Sequence, residues 1–323
     1  MQLRSQFLLL MVLSLASAMV CAQERDYPSR PVRMIVPVPP GGIVDVVMRV
    51  VGQKMSEVMG QTLVIDNRPG ATTNIGTEIV ARAPADGYTL LSNSLPLVVN
   101  PSMFAKLPFD VEKDLTPVSL IAAAPYILVS HPALPAKSLK EMIALAKAKP
   151  GTIKYSSAGN GSNLHVAAEL FKVMSGTDLV HVPYRGGGPA LTAVLGNEAQ
   201  LSFLSLIAVA PHVQAGKLRA LGITSLKRSP VLPEVPTIDE SGVTGYEFSS
   251  WVGVLAPGKT PRAIVSAIHG IIEKAARSPG MGERFAKEGA EIVASRPEQF
   301  REYIHTELAR WAKVVKETGM RPD

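Results

Sequence analysis

Three glycine-rich turns carry the residues in this chain best placed to do chemistry. The first reads Val36-Pro37-Val38-Pro39-Pro40-Gly41-Gly42-Ile43-Val44-Asp45. The second reads Ser156-Ser157-Ala158-Gly159-Asn160-Gly161-Ser162-Asn163, and the third Val182-Pro183-Tyr184-Arg185-Gly186-Gly187-Gly188-Pro189-Ala190. Each follows a short β-branched run and opens a helical pattern. A strand-to-helix turn of this kind leaves backbone N–H groups unpaired, and the helix start adds roughly half a positive charge, so anions are attracted there. In open α/β sheets such turns line the crevice at the carboxyl ends of the strands, where ligands bind. One such turn could reflect glycine's conformational freedom alone; three in the same context predict a site whose backbone amides hold an anionic small molecule. Neither Gly-x-x-x-x-Gly-Lys-Ser/Thr nor Gly-x-Gly-x-x-Gly after a strand occurs, so nucleotide phosphates are not expected.

The side chains around these turns offer less. Asp45, in the first turn of its helix, can balance the helix dipole, accept from a ligand amino or hydroxyl group, or do both. Arg185 can fork onto a carboxylate or stand solvated at the surface. Ser162 and His165 lie three apart and could share a helix face, but a Ser at a helix start is usually a cap, and the Gly-x-Ser-x-Gly elbow is absent. Catalysis is therefore not expected; an exported serine hydrolase using Ser162 and His165 is the alternative. The six His residues are dispersed without His-x-x-x-His spacing, and one Cys rules out thiolate metal sites, so neither metal nor cofactor is expected. The net charge of +6 comes from scattered basic residues, and aromatics make up only 5% of the chain, which argues against nucleic acid.

The elements that must position these turns are legible as an alternation. Strand-like runs fall at Val32-Val38, Thr62-Asp66, Tyr88-Leu91, Ser119-Ser130, Ile153-Ser156, Leu179-Val182, Gln200-Leu206, Leu218-Thr224 and Trp251-Ala256. Between many of them lie amphipathic helical stretches, one with its apolar face at Val47, Val50, Val51, Met55, Val58 and Met59. This pattern predicts an α/β fold with mostly parallel sheets flanked by helices. The last helix is expected from a capping box at Ser295 and Glu298, followed by Phe300, Ile304, Leu308, Trp311 and Val315. No composition break marks a linker, so two domains would have to share strands. At the amino end, Arg4, an apolar run over Phe7–Val20 and the small-residue site Val20-Cys21-Ala22 form the three-part pattern of a cleaved signal peptide over residues 1–22. The apolar run is shorter than the ~20 residues a membrane-spanning helix needs. Removal of Cys21 with that segment would leave a thiol-free exported chain, suited to an oxidising compartment.

Several blocks in one order make the pattern specific. Besides the three turns they include Asp66-Asn67-Arg68-Pro69-Gly70-Ala71 with Asn74-Ile75-Gly76, Ala85-Asp86-Gly87-Tyr88-Thr89-Leu90, and Trp251-Val252-Gly253. With these the chain resembles, through essentially its whole mature length, the Bug (TctC-type) extracytoplasmic solute-binding receptors of tripartite tricarboxylate transporters. The resemblance implies a periplasmic two-domain binding protein of the type II-like architecture. Domain 1 would comprise 23–125 with 249–323 and domain 2 would comprise 126–248. They would hinge near Ala122–Ser130 and Ser249–Pro257 to close on a carboxylate.

It implies a monomer that delivers its ligand to membrane permease subunits, although the same receptor could serve a periplasmic sensor system. The implied ligand contacts are Val38, Pro39, Gly41, Gly42 and Asp45 on the first turn, with Asn93 and Ser94. On the second turn they are Ser157, Ala158, Asn160, Ser162, Asn163 and His165. Tyr184, Arg185, Gly186 and Gly187 on the third turn, with Ser205, complete the set. The family often has an aromatic where this chain has Val38, and Thr or Ser where it has Val44. Those two differences imply a larger or more apolar carboxylate, aromatic acids included.

Overall fold

The computed structural model describes residues 27–287 and 289–321, so the expected leader at 1–22 lies outside the described residues. The chain alternates strand and helix as its apolar periodicity requires. The first half contains β1 (Val32–Val36), α1 (Ile43–Met59), β2 (Leu63–Asn67), α2 (Asn74–Ala81), β3 (Thr89–Asn93), α3 (Pro96–Met103), α4 (Val111–Asp114) and the 16-residue β4 (Leu115–Ser130). It continues with α5 (Leu139–Ala148), β5 (Lys154–Ser157), α6 (Asn163–Ser175), β6 (Val180–Pro183), α7 (Gly187–Leu195), β7 (Leu201–Ser205), α8 (Leu206–Gln214) and β8 (Arg219–Ile223). The last part contains β9 (Ser249–Pro257), α9 (Arg262–Ala276), α10 (Met281–Lys287), β10 (Glu291–Ile292) and α11 (Pro297–Thr318).

The strands line up as β2-β1-β3-β9-β4-β7-β5-β6, with β8 and β10 also paired to β4. Two sheets share one strand. From Leu115 to Pro125, β4 pairs with β9 in the first sheet; from Tyr126 to Ser130 it pairs with β7 and β8 in the second. The outer pairs β1–β2, β1–β3, β5–β6 and β5–β7 are parallel, while every pairing made by β4 or β9 is antiparallel. The parallel sets require helical crossovers, and those crossovers supply the flanking helices. The result is a mixed α/β fold of two lobes joined through a shared strand.

The second connection is shorter than the run Ser249–Pro257 suggests, because β9 pairs only within the first sheet. Thr224 pins both connections. Its hydroxyl accepts from the Tyr126 N–H (2.7 Å) and donates to the Phe248 carbonyl (2.6 Å), while the Phe248 N–H donates to the Thr224 carbonyl (2.8 Å).

On one face of the first sheet, α1 buries Val47, Met48, Val51 and Met55 against Val36, Val252 and Ile268; Val58, expected on that face, is exposed at its outer end. On the other face α11 packs against α3, α6 and β4, placing Phe300, Ile304 and Trp311 in a core that continues into the second lobe. The helix starts one residue later than the Ser295/Glu298 spacing suggests. Arg296 is the N-cap, and its N–H donates to Gln299 Oε1 at 3.0 Å. Ser295 is occupied elsewhere: its hydroxyl accepts from the Leu120 N–H (3.0 Å) and its carbonyl accepts from the Ser119 hydroxyl (2.9 Å), fastening this corner to β4.

Candidate functional site

Parallel pairing puts strand ends on a common edge. In the first sheet Val36 pairs with Asn67 and Ile35 with Leu91; in the second Ser157 pairs with Pro183 and Ser156 with Ser202. The carboxyl ends of β1, β2 and β3 therefore lie together and lead into α1, α2 and α3. Those of β5, β6 and β7 likewise lead into α6, α7 and α8. Six helix N-termini thus crown two strand edges, twice the number of glycine-rich turns visible in the sequence. The three that lack such turns begin at Thr73, Leu95 and Ser205.

The first turn is organised by Asp45. Its Oδ2 accepts from the Gly41 N–H and from Arg49 Nε, both at 2.9 Å, and its Oδ1 accepts from Asn67 Nδ2 at 3.0 Å. The same Asn67 amide donates to the Val38 carbonyl at 3.0 Å, so the end of β2 ties down the turn after β1. Asp45 is only 1% exposed. Burial alone would raise its pKa, but the bonds from Arg49, Gly41 and Asn67 outweigh burial and hold the carboxyl below the usual range. Its oxygens are thus committed within the turn. Gly42 is the N-cap of α1 and provides no side chain; Gly41 takes a φ of +84°, where a Cβ would meet no other atom within 4 Å. Pro39 is exposed and Val38 half-buried. Val44 is fully buried in the core beneath α1, so the missing hydroxyl there does not bear on a pocket.

At the end of β3, Asn93 is fully buried: its Nδ2 donates to Thr77 Oγ1 (3.0 Å) and its Oδ1 accepts from the Ser94 N–H (2.8 Å). The turn before α2 is unusual. Ala71, Thr72 and Thr73 all have positive φ (45°, 49° and 77°), a region that β-branched residues rarely enter. Asn100 Nδ2 secures it by donating to the Thr72 carbonyl (2.6 Å) and to Asn74 Oδ1 (2.8 Å).

The second turn sits above a buried stack of rings. His165 and His181 stack at 4.1 Å with an 11° tilt, and Tyr155 stacks on the other side of His181 at 5.0 Å. Beneath them Glu169 accepts from Tyr155 OH (2.6 Å) and from Lys172 Nζ (2.8 Å). His165 Nδ1 accepts from the Gly161 N–H at 3.1 Å, and Ser162 Oγ caps α6 by accepting from the His165 N–H at 3.4 Å. Ser162 and His165 are thus each engaged with backbone, and the nucleophile–base pair of the alternative reading is not formed. Burial first, then the charges of His181 and Lys172, lowers His165 to about 3, so it stays neutral.

The Ser–His contact the structure does contain joins Ser157 Oγ to His181 Nε2 at 2.6 Å, and Ser157 Oγ also accepts from the Gly159 N–H at 3.1 Å. Ala158 and Asn160 are half-buried on the turn. Asn163 Nδ2 reaches the opposite lobe, donating to Ser250 Oγ of β9 at 2.8 Å.

The third turn joins the second where the Tyr184 N–H donates to the Ser157 carbonyl at 2.9 Å. Tyr184 OH donates to Glu198 (3.1 Å). Arg185 is exposed, and among the described residues its guanidinium makes no hydrogen bond or ion pair. Gly186 (φ +119°) caps α7, and a Cβ at Gly186 or Gly187 would meet nothing within 4 Å. Ser205 caps α8 by accepting from the Ala208 N–H at 3.4 Å.

Across the lobes, Gly161 approaches so closely that a Cβ on it would lie 3.2–3.3 Å from Met103 and Thr72. The two strand edges therefore face one another, with the second turn against the Thr72 turn.

A profile described as the tripartite tricarboxylate transporter family receptor matches residues 47–320. The chain belongs to that receptor family. A curated member, protein BugT of Bordetella pertussis, is 41% identical over 297 residues, covering 91% of each chain. Among solved structures, an R. palustris protein with adipate superposes with a TM-score of 0.84 at 36% identity, covering 92% of this chain and 100% of that one. MatC from Rhodopseudomonas palustris with bound malate gives a TM-score of 0.80 at 30% identity over 90% of this chain and 100% of its own. The resemblance read from the ordered blocks is thereby established, and this family member is a solute-binding receptor.

Proposed function

We propose that this receptor captures a small carboxylate between its lobes in the periplasm and delivers it, as a monomer, to the permease subunits of a tripartite tricarboxylate transporter. The observation that carries the reading is the convergence of six helix N-termini on two facing strand edges. The adipate and malate held by the two structural neighbours agree with a carboxylate as the ligand. The lobes divide at Pro125/Tyr126, where β4 changes sheets, and at Phe248/Ser249, where β9 begins, so that 126–248 moves against the rest.

The Gly41, Gly42, Gly159 and Gly161 amides already bond within their turns, so the amides at the helix starts, Gly186 and Gly187 of the third turn among them, hold the carboxylate. Arg185, exposed and without a partner, swings onto a second acidic group. Asp45 acts through the turn it organises. With Val44 in the core, only Val38 argues for a larger or aromatic acid.

Thermal unfolding of the exported chain with adipate, malate, citrate and benzoate tests the reading. At least one acid should raise the melting temperature in a concentration-dependent way, as binding to the folded state requires. Arg185→Ala should weaken that acid about tenfold, close to 1.4 kcal/mol. No shift with any of the four would contradict the reading.

A further inference from the structure

A cavity of about 1030 Å³ lies at the crossing between the lobes and shares none of the residues discussed as carboxylate contacts. Its size is at the upper end of the ~300–1,000 Å³ typical of small-molecule sites. Its walls come from both lobes, from strands of the first sheet and from segments beyond β8 in the second lobe. Trp251 of β9 with Tyr303 and Trp311 of α11 form one side, and Phe248, Leu226 and Lys227 beyond β8 form the other. The aromatic rings are fixed by one another. Trp251 meets Tyr303 edge-on at 5.9 Å, and Trp311 meets Phe248 edge-on at 6.1 Å.

Part of the polar lining is already committed. Trp311 Nε1 donates to Glu307 at 2.7 Å, and Arg310 donates to Glu307 and to the Glu247 carbonyl. Two donors are not. Trp251 is 1% exposed and its indole N–H has no acceptor among the described residues, a costly state for a buried donor. The Lys227 ammonium has no partner among the described residues. Beside it Leu226 holds an apolar side chain 51% exposed at the opening. The accessible Lys227 ammonium, apolar walls and flat rings select a ligand with an acceptor on an aromatic body. Glu247 and Glu291, exposed at the rim, select against more than one negative charge.

We propose that this cavity is a second ligand site, taking a small aromatic monoanion, and that its occupancy is coupled to movement of the lobes because its walls belong to both. Ligand that fits one arrangement of the walls better than the other shifts that equilibrium, and the carboxylate site must feel the same coupling in return.

The chain has two tryptophans, and both line this cavity, so intrinsic fluorescence reports on it directly. The probe is 8-anilinonaphthalene-1-sulfonate, a flat aromatic monoanion, titrated into the exported chain. The expected result is saturable, one-site quenching of tryptophan with energy transfer to the probe. The exposed-site variants Leu226→Glu and Lys227→Glu should weaken it at least tenfold. Both variants should keep the wild-type melting temperature and its shift with carboxylate, a readout that also separates failure here from failure of the carboxylate reading. Saturating probe should change carboxylate affinity at least threefold. Absence of energy transfer, or unchanged probe affinity in both variants, would overturn the site; unchanged carboxylate affinity would overturn the coupling.

Discussion

At the scale of single residues, the candidate site is built more by backbone donors than by charged side chains, and its buried charged groups hold turns in shape. Asp45 is the clearest case, since Gly41, Arg49 and Asn67 take up both oxygens. Asp45→Asn should cost about 1–3 kcal/mol at pH 7, because a donor-bearing amide replaces an acceptor-only group among three donors. Its depressed pKa stabilises the fold above the ordinary carboxylate pKa. That contribution disappears as pH falls through the lower folded value. Urea unfolding at pH 7 and pH 3 should show the wild type and variant converging at low pH.

His165 has the opposite chemistry but the same direction. Its folded pKa of about 3 lies below the ordinary value of 6.5, so in that interval the unfolded chain binds a proton the folded chain refuses. Stability should fall by roughly 1.4 kcal/mol per pH unit from this group as pH drops below 6.5. In His165→Asn, whose amide oxygen can accept from Gly161, that part of the slope should vanish.

At the scale of elements, nine strand runs were legible from apolar periodicity, and all nine form within a few residues of their expected ends. The two-residue β10 carries no periodic signal. Three of the six strand-to-helix turns announce themselves by glycine; the Thr73, Leu95 and Ser205 starts do not, because ordinary residues make them. The ring stack under the second turn was equally hidden. It depends on register, with His181 opposite Tyr155 and therefore beside Ser157, and no local spacing encodes that. The Ser295/Glu298 pattern misplaced a cap because a better use for Ser295, bonding to β4, exists only in the folded chain.

Gly161 tests the second turn as an element. At a φ of +72° an alanine costs about 1–2 kcal/mol, and its methyl would press on Met103 and Thr72. Gly161→Ala should therefore weaken carboxylate binding at least tenfold, measured by calorimetry, while the chain remains folded. An unchanged affinity would show that the two edges need not meet at this point.

At the scale of the whole molecule, the two sheets are joined by one long strand and one short connection, and the Thr224 side chain bonds to both. Such a junction concentrates any lobe movement at a few residues, as hinge closure around ligands requires. The ordered sequence blocks pointed to this architecture, whereas the placement of both connections on Thr224 depends on long-range pairing. The measurement that bears most directly on the receptor account is small-angle scattering of the chain from residue 23 onward, with and without a saturating carboxylate identified by its thermal shift. The account expects ligand to reduce the radius of gyration as the lobes close. A melting temperature and a scattering profile that are both unchanged by mono-, di- and tricarboxylates would contradict it.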